Sequence, residues 1–424
     1  MPPATYAISS LFLTILSSAT TLAAPRILSE QEFSSFVLLA SFFQLAARFD
    51  FGLSERADQY GASQDPITGG SKHLIAARFL IAGMMFTCVT ILIILLPINF
   101  SFISKLELLL TIAGGLLAMI SVGPVTLARS RNDIRTFTIL ALSLQIGMTA
   151  PRFIGLLISG TVGCYSALLI WYSIFSLRAL RSIKLKHFSE KTLIHELLNS
   201  FPLFIFSTLW LCYQFSLRWI SALISSPETF SKLAFALNLL AIMTGTLTTI
   251  GQAFYPKFLV LESKNQRHEI NLLFQKDSII LVSACFIMLA ICLPFSSYGL
   301  LYFYVKHAPY LINILILSTA IIPLSLSLWF TPLILALSKR PLIDAALVLT
   351  PSFAGMFGSM LLGDHIAGAT GQAIAISTAS FIPLILVFVL LYHYKIASIH
   401  SVSYFIGLPI ILSGILFFEI AYIR

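Results

Sequence analysis

Leu74–Ile98 reads LIAARFLIAGMMFTCVTILIILLPI, an apolar run of 25 residues that carries one charge, Arg78. At about 1.5 Å per residue it makes a helix of roughly 37 Å, enough to cross the roughly 30 Å hydrocarbon core of a bilayer. It does not alternate apolar with polar as a barrel strand of about ten residues would. Twelve further runs share this character: Thr5–Pro25, Phe33–Leu53, Ile103–Leu127, Thr136–Ile158, Gly160–Leu177, Ser200–Ser221, Leu233–Phe254, Ser278–Tyr302, Tyr310–Leu337, Leu342–Leu362, Ala367–Tyr392 and Val402–Tyr422. Composition agrees, with 58% hydrophobic and 10% charged residues and a mean hydropathy of +0.94 over 424 residues. Soluble domains carry about 25% charged residues, so a soluble enzyme, a nucleic-acid-binding domain and a disordered chain are excluded. The fold class is an all-α polytopic membrane protein.

The net charge of +9 is accounted for by topology. With the N-terminus cytoplasmic, the inside connections hold 17 of the 26 Lys and Arg, the outside connections 5 and the spans 4 (Arg48, Arg78, Arg152, Arg218). Cytoplasmic loops collect Lys and Arg, so this bias sets the orientation. Thr5–Pro25 ends in Leu22-Ala23-Ala24 but has no Lys or Arg before it, so it reads as a retained first span and not as a signal peptide. The five cysteines lie in apolar runs without a CxxC, and the eight histidines lie in loops or at span ends. Neither disulfides, a metal site nor a cofactor is expected.

The longest interior loops are Ser54–His73, Arg178–Asn199 and Pro256–Asp277. The middle one divides the chain into an N-terminal six-helix bundle (1–178), a cytoplasmic linker (179–199), a C-terminal six-helix bundle (200–392) and a thirteenth span (393–424). The linker's Arg178, Arg181, Lys184, Lys186 and Lys191, followed by the amphipathic stretch Leu193–Leu198, read as a helix lying on the anionic inner leaflet. Two six-span halves suit a transporter that rocks around a central cavity. The repeat rests on span count, since no identity between the halves is evident.

Residues that do not belong in lipid carry the functional reading. A central Arg costs about 2.5–3.5 kcal/mol on insertion scales and faces a protein interior or a wet cavity. Ser41, Gln44, Arg48, Gly52 and Glu55 fall on one face of the second span when it is read as a continuous helix. Thr138, Gln145, Thr149 and Arg152 mark the fifth span, beside Pro151, and Ser207, Gln214, Arg218 and Ser221 the seventh. The first span (Ser10, Thr14, Ser17, Thr21) and the eighth (Asn238, Gly245, Thr249, Gln252) are milder. Arg78, four residues into its span, reads as reaching the headgroups. Asp50 is the one carboxylate well inside the first twelve spans. A cavity with several Arg and one Asp attracts an anion, most naturally a phosphate or diphosphate held by guanidinium forks.

The Phe49-Asp50-Phe51-Gly52-Leu53-Ser54 stretch, with Leu28-Ser29-Glu30-Gln31-Glu32-Phe33 before the second span, resembles polysaccharide exporters of the multidrug/oligosaccharidyl-lipid/polysaccharide superfamily, specifically Wzx-type O-antigen flippases. Glu196-Leu197-Leu198-Asn199-Ser200-Phe201-Pro202, Tyr255-Pro256 and Gly368-Ala369-Thr370-Gly371-Gln372-Ala373 add to the likeness, which extends over residues 1–392. Leu217 stands where many members place an Asp before the Arg, and the thirteenth span is a second departure. The resemblance implies two six-helix bundles in a V around a cationic cavity, in a bacterial inner membrane, with an extra C-terminal helix here. It also implies flipping of an undecaprenyl-diphosphate-linked oligosaccharide, an O-antigen or exopolysaccharide repeat unit, from inner to outer leaflet.

Both lines together give an expected mechanism. Arg48 with Arg78 captures the diphosphate, Gln44, Gln145 and Gln214 contact the sugars, and Arg152 and Arg218 hold the headgroup before release outside. Asp50 is the candidate for coupling to a proton or sodium ion. The partners are the lipid-linked substrate, membrane lipids and glycan polymerase machinery; nucleic acid is not among them. The alternatives are a multidrug/cation antiporter of the same superfamily, which wants an acidic or aromatic cavity, and a membrane glycan polymerase or ligase, which wants a large outside loop.

Overall fold

The computed structural model describes residues 17–54, 70–95, 103–130, 133–181, 190–252, 258, 260–262, 264–303, 311–337, 340–398 and 403–422. Among these residues every regular element is helical. The helices are α1 (17–27), α2 (Glu30–Ala47), α3 (Gly70–Leu95), α4 (Lys105–Ser130), α5 (Ile134–Gly147), α6 (Ala150–Arg181), α7 (Glu190–Ile224), α8 (Pro227–Gln252), α9 (Arg267–Phe303), α10 (Leu311–Ser318), α11 (Ile321–Leu337), α12 (Pro341–Ala379), α13 (Phe381–His393) and α14 (Leu408–Tyr422), the last preceded by a π turn at Ser403–Gly407. Five stretches among the described residues are long and apolar enough to cross a membrane, or six if the bent pair α10–α11 is one span. The N-terminal part of the expected first span, residues 5–16, lies outside the described residues, as do linker residues 182–189 and loop residues 55–69.

Helix starts follow from local side-chain chemistry. At α2 the Ser29 hydroxyl accepts the Glu32 N–H at 3.3 Å while the Glu32 carboxylate accepts the Ser29 N–H at 2.9 Å, a reciprocal capping box. Ser104 and Glu107 repeat it at α4. Asp133 accepts the Thr136 N–H at α5, and Ser226 accepts the Thr229 N–H at α8. Each cap satisfies N–H groups that the first helical turn leaves without partners.

The chain forms two compact units, Met1–Cys212 and Tyr213–Arg424. The division falls inside α7, downstream of the linker expected at 179–199. Arg178–Arg181 belong to α6, and Leu193–Leu198 are the first turns of α7. The linker's amphipathic stretch is therefore not a separate helix: it is continuous with the helix whose apolar, membrane-crossing part runs Leu197–Ile224. In unit 1, α4 packs on α2, α3, α5 and α6. In unit 2, α8, α10, α11, α12 and α13 form the core, and the Ser413 hydroxyl of α14 donates to the Thr319 carbonyl at 3.0 Å. The final apolar segment is thus a helix packed on unit 2. Tyr310–Leu337, expected as one span, bends by 43° between α10 and α11. There the Ser318 and Thr319 hydroxyls take the Leu315 and Ile316 carbonyls, offering the backbone a local alternative to helical bonding.

A repeat that the sequence concealed shows in the backbone. Within α6 the helix breaks at Ser159 (φ −146°, ψ 32°) and Gly160 (φ 57°, ψ −135°). Within α12 it breaks at Ala367 (φ −145°, ψ 22°) and Gly368 (φ 53°, ψ −131°). Both are reversals, because residues eight apart meet across them: a Cβ on Gly155 would lie 2.2 Å from the Gly163 carbonyl oxygen, and one on Gly363 2.3 Å from that of Gly371. Only glycine permits such an approach. The two hairpins are offset by 208 residues, so Gly155, Gly160 and Gly163 correspond to Gly363, Gly368 and Gly371. The capped starts of α2 and α8 correspond too, at an offset of 197: Ser29 with Ser226, and buried Phe33 with buried Phe230.

Candidate functional site

Asp50 and Arg78, which the sequence assigns to separate tasks, form one ion pair at 2.7 Å. Helix α2 does not run to Leu53; it ends at Ala47, with Arg48 as the cap residue. The chain then turns through Phe51 (φ 55°) and Gly52 (φ 76°), so Gly52 leaves the expected polar face, and Glu55 lies outside the described residues. The Asp50 carboxylate drives this turn by accepting the Gly52 and Ser54 N–H groups, each at 3.2 Å, and the Ser54 hydroxyl, which also accepts from Arg78. Arg78 is 3% exposed and bonds to Asp50 and Ser54, so it does not reach toward headgroups. Instead a buried carboxylate meets it inside unit 1.

Four rings wall this turn. Phe51 stacks on Phe204 at 4.7 Å, Phe49 meets Phe204 edge-on at 4.9 Å, and Phe201 lies 6.5 Å from Phe51. A Cβ on Gly52 would sit 2.5 Å from the Ser200 carbonyl oxygen and 2.9 Å from the Phe204 nitrogen. The Phe-Asp-Phe-Gly motif therefore anchors the start of α7 to unit 1.

Arg48 keeps an exposed guanidinium at the C-terminal end of α2, where the helix dipole favours a cation, and Gln44 is exposed one turn earlier. Gln145 and Gln214 are half-buried, and Arg218 is 6% exposed in the part of α7 that belongs to unit 2.

Arg152 is also 6% exposed, inside unit 1. It sits in the first turn of α6, beside Pro151, which a first helical turn tolerates because its N–H groups have no intrahelical acceptor. Its guanidinium carbon lies 4.9 Å from the centre of the Phe36 ring, a cation–π geometry. Cys164, Tyr165 and Tyr172 come from the returning limb of the hairpin. The rings interlock, Phe36 with Tyr165 at 6.4 Å, Phe43 with Tyr165 at 6.4 Å and Phe43 with Tyr172 at 5.9 Å. The Tyr165 hydroxyl donates to the Phe36 carbonyl at 3.2 Å. The Arg152 Nε has no hydrogen-bond partner, and among the described residues no carboxylate pairs with this guanidinium.

Two features escaped the sequence. Phe36/Phe43 and Tyr165/Tyr172 are each spaced by seven, which places each pair on one helix face, a legible signal of an aromatic seam. Asp277, assigned to a loop, is fully buried in α9, because that helix begins at Arg267 and not at Ser278. Among the described residues no cluster of His, Cys, Asp or Glu is arranged to hold a metal.

The fold is that of transporters of the multidrug/oligosaccharidyl-lipid/polysaccharide (MOP) superfamily. A multidrug resistance MATE family transporter of that superfamily, in its outward-facing conformation, superposes with a TM-score of 0.70 at 12% identity, over 93% of this chain and 94% of that one. The eukaryotic MATE transporter AtDTX14 gives 0.70 at 14% identity, over 91% and 93%. The lipid II flippase MurJ, in an inward closed conformation, gives 0.65 at 17% identity, over 99% and 98%. No family model and no curated protein sequence matches the chain.

Proposed function

We propose that this protein is a flippase of the bacterial inner membrane, N-terminus cytoplasmic, that moves an undecaprenyl-diphosphate-linked oligosaccharide to the outer leaflet by alternating access. The observation that carries the reading is the Asp50–Arg78 pair. Asp50 is the one buried carboxylate among the described residues of unit 1, and Arg78 occupies it. With Asp50 paired, the exposed charge at the C-terminal end of α2 is the cationic Arg48, which favours an anionic headgroup over an organic cation. Likeness in fold to a lipid II flippase supports a lipid-linked substrate.

Arg48, with its exposed guanidinium, captures the diphosphate by paired N–H donors. Arg218 holds it nearer the outer side, and Gln44, Gln145 and Gln214 contact the sugars. Arg78 supports the loop that positions Arg48, and any coupling of a proton or sodium ion through Asp50 first requires the pair to open. The chain carries no phosphate-binding nucleotide motif, so flux follows an ion gradient, the membrane potential or removal of product by a polymerase.

A second reading, an organic-cation antiporter, is favoured by buried Asp277 in unit 2 and by likeness to the MATE transporters. Proteoliposomes separate the two. Wild type should flip a fluorescent undecaprenyl-diphosphate oligosaccharide, read by quenching from outside, and Arg48→Ala and Arg218→Ala should each lose at least tenfold in rate while inserting normally. Flipping at the wild-type rate by both variants, or uptake of ethidium without flipping, overturns the proposal.

A further inference from the structure

Arg152, expected from the sequence to hold the headgroup before release, is buried inside unit 1, and its surroundings pose a separate problem. A guanidinium 94% removed from solvent requires a counter-charge or a dense set of acceptors. It has one ring face, the Cys164 thiol and phenol-bearing side chains, its Nε is unpartnered, and among the described residues no carboxylate pairs with it. The repeat shows that the fold does not demand a charge here. At the 208-residue offset the position of Arg152 is filled in unit 2 by Met360, fully buried, and that of Tyr165 by Ala373. At the 197-residue offset Leu233 and Leu240 stand for Phe36 and Phe43. One scaffold therefore carries a neutral methionine at this place in unit 2, where Gln372 and Ser380 stand for Cys164 and Tyr172 and Gln372 donates to Asp364 and Ser225, and a guanidinium among four aromatic rings in unit 1.

We infer that Arg152 is the floor of an anion site inside unit 1, bounded by Phe36 and Phe43 of α2 and by Cys164, Tyr165 and Tyr172 of α6, which takes a monovalent, weakly hydrated anion of the halide class. The charge selects the valence. One guanidinium balances one negative charge, whereas a diphosphate brings at least two into a shell with no second cation among its described members. The rings select weak hydration, because an aromatic shell offers few hydrogen-bond donors to replace a tight water shell. The anion completes the ion pair that the described side chains leave open, and it fixes the α2–α6 packing in unit 1. The site is distinct from the substrate ligands proposed above, and its test uses no lipid-linked substrate.

The full-length protein in detergent is titrated with sodium bromide or chloride against sodium gluconate at constant ionic strength, and thermal unfolding is followed. Wild type should gain several degrees in Tm, saturably, with bromide or chloride. Sodium phosphate and pyrophosphate should give no such gain. Arg152→Met, which installs the residue unit 2 carries, should lose the halide response and unfold in gluconate at or above the wild-type Tm. Crystals grown in bromide should show an anomalous peak within about 4 Å of the guanidinium, a reading on the unaltered protein that holds even if the variant fails to fold. A wild-type Tm indifferent to halide, an undiminished response in Arg152→Met, bromide found only as an adventitious ion elsewhere, or a stronger response to pyrophosphate each overturns the inference, the last by assigning Arg152 to the diphosphate.

Discussion

Breaking the Asp50–Arg78 pair from either side should destabilise unit 1 unequally, and the inequality can be worked from its hydrogen bonds. Removing one member of a buried pair generally costs about 3–5 kcal/mol, because the survivor is left charged and uncompensated. Arg78→Met leaves Asp50 with the Gly52 N–H, the Ser54 N–H and the Ser54 hydroxyl, so its cost belongs at the lower end, about 3 kcal/mol. Asp50→Ala leaves the guanidinium with the Ser54 hydroxyl alone and an Nε already without a partner, and it also dissolves the turn; about 5 kcal/mol is expected. For a unit of 212 residues each kcal/mol lowers Tm by about 2–4 °C, so the losses are roughly 6–12 °C and 10–20 °C. The double variant removes both charges together and should unfold close to Asp50→Ala, far from the sum of the two losses. Labelling of buried Cys164 by a thiol-reactive dye during heating, with the other four cysteines (Cys88, Cys212, Cys285 and Cys292) replaced by Ser, reports the opening of unit 1. Effects that add within about 0.5 kcal/mol would show that the two groups do not interact, and the pairing argument would fail.

Gly52→Ala must place a Cβ 2.5 Å from the Ser200 oxygen at φ +76°, so a loss of about 2 kcal/mol or more is expected in the same dye assay, and a Tm equal to wild type would refute the anchoring role of this turn. Gly155→Val and Gly371→Val should each prevent closure of their hairpins, where a Cβ meets carbonyl oxygen at 2.2 and 1.9 Å, and accumulation of either variant at wild-type levels in the membrane would count against the reversal. The Ser29 N–H and hydroxyl hold the Glu32 carboxyl below its usual range, so its share of stability is full above about pH 4.3 and is lost as pH falls through the lowered native value. Glu32→Gln should flatten that acid limb by a few tenths of a kcal/mol at this exposed cap, and an unchanged limb would dismiss the box as a contributor.

Most of the architecture was legible because hydropathy alone places helices. The division expected between Ile158 and Gly160 coincides with the reversal at Ser159–Gly160, and the start expected at Ala367 coincides with the second reversal. Charge then misled at the edges. Asp277 and Lys276 ended an apolar window and were placed in a loop, although a helix of mixed character continues back to Arg267. The seventh span was placed well, from Ser200 against an apolar stretch of Leu197–Ile224, but the helix that carries it continues back through polar residues to Glu190. Asp50 and Arg78 are 28 residues apart on neighbouring segments, and no local pattern records a pairing of that kind. Position near a span end made interfacial reach the natural reading for Arg78, and only tertiary packing brings a carboxylate to it. The arginine on the fifth span was legible as out of place in lipid; what surrounds it was not.

The duplicated scaffold separates two demands that a single core would confound. Where the two units agree, in the Ser caps of α2 and α8 and in the glycine hairpins of α6 and α12, the shared residues are those the backbone requires: oxygen acceptors for orphaned N–H groups, and missing Cβ atoms where helices touch. Where they disagree, at Arg152 and Met360 or at Tyr165 and Ala373, both solutions are buried to within a few per cent of exposure, so burial alone does not choose between them. An unbranched methionine occupies that place without a counter-charge, while a guanidinium brings a desolvation penalty of several kcal/mol that folding does not require. Retaining the costlier side chain in one unit is what an added task looks like against an internal reference. Arg48 is a separate case: it caps α2 at the surface of unit 1, not inside its core, and is left available for a ligand that arrives from outside the unit.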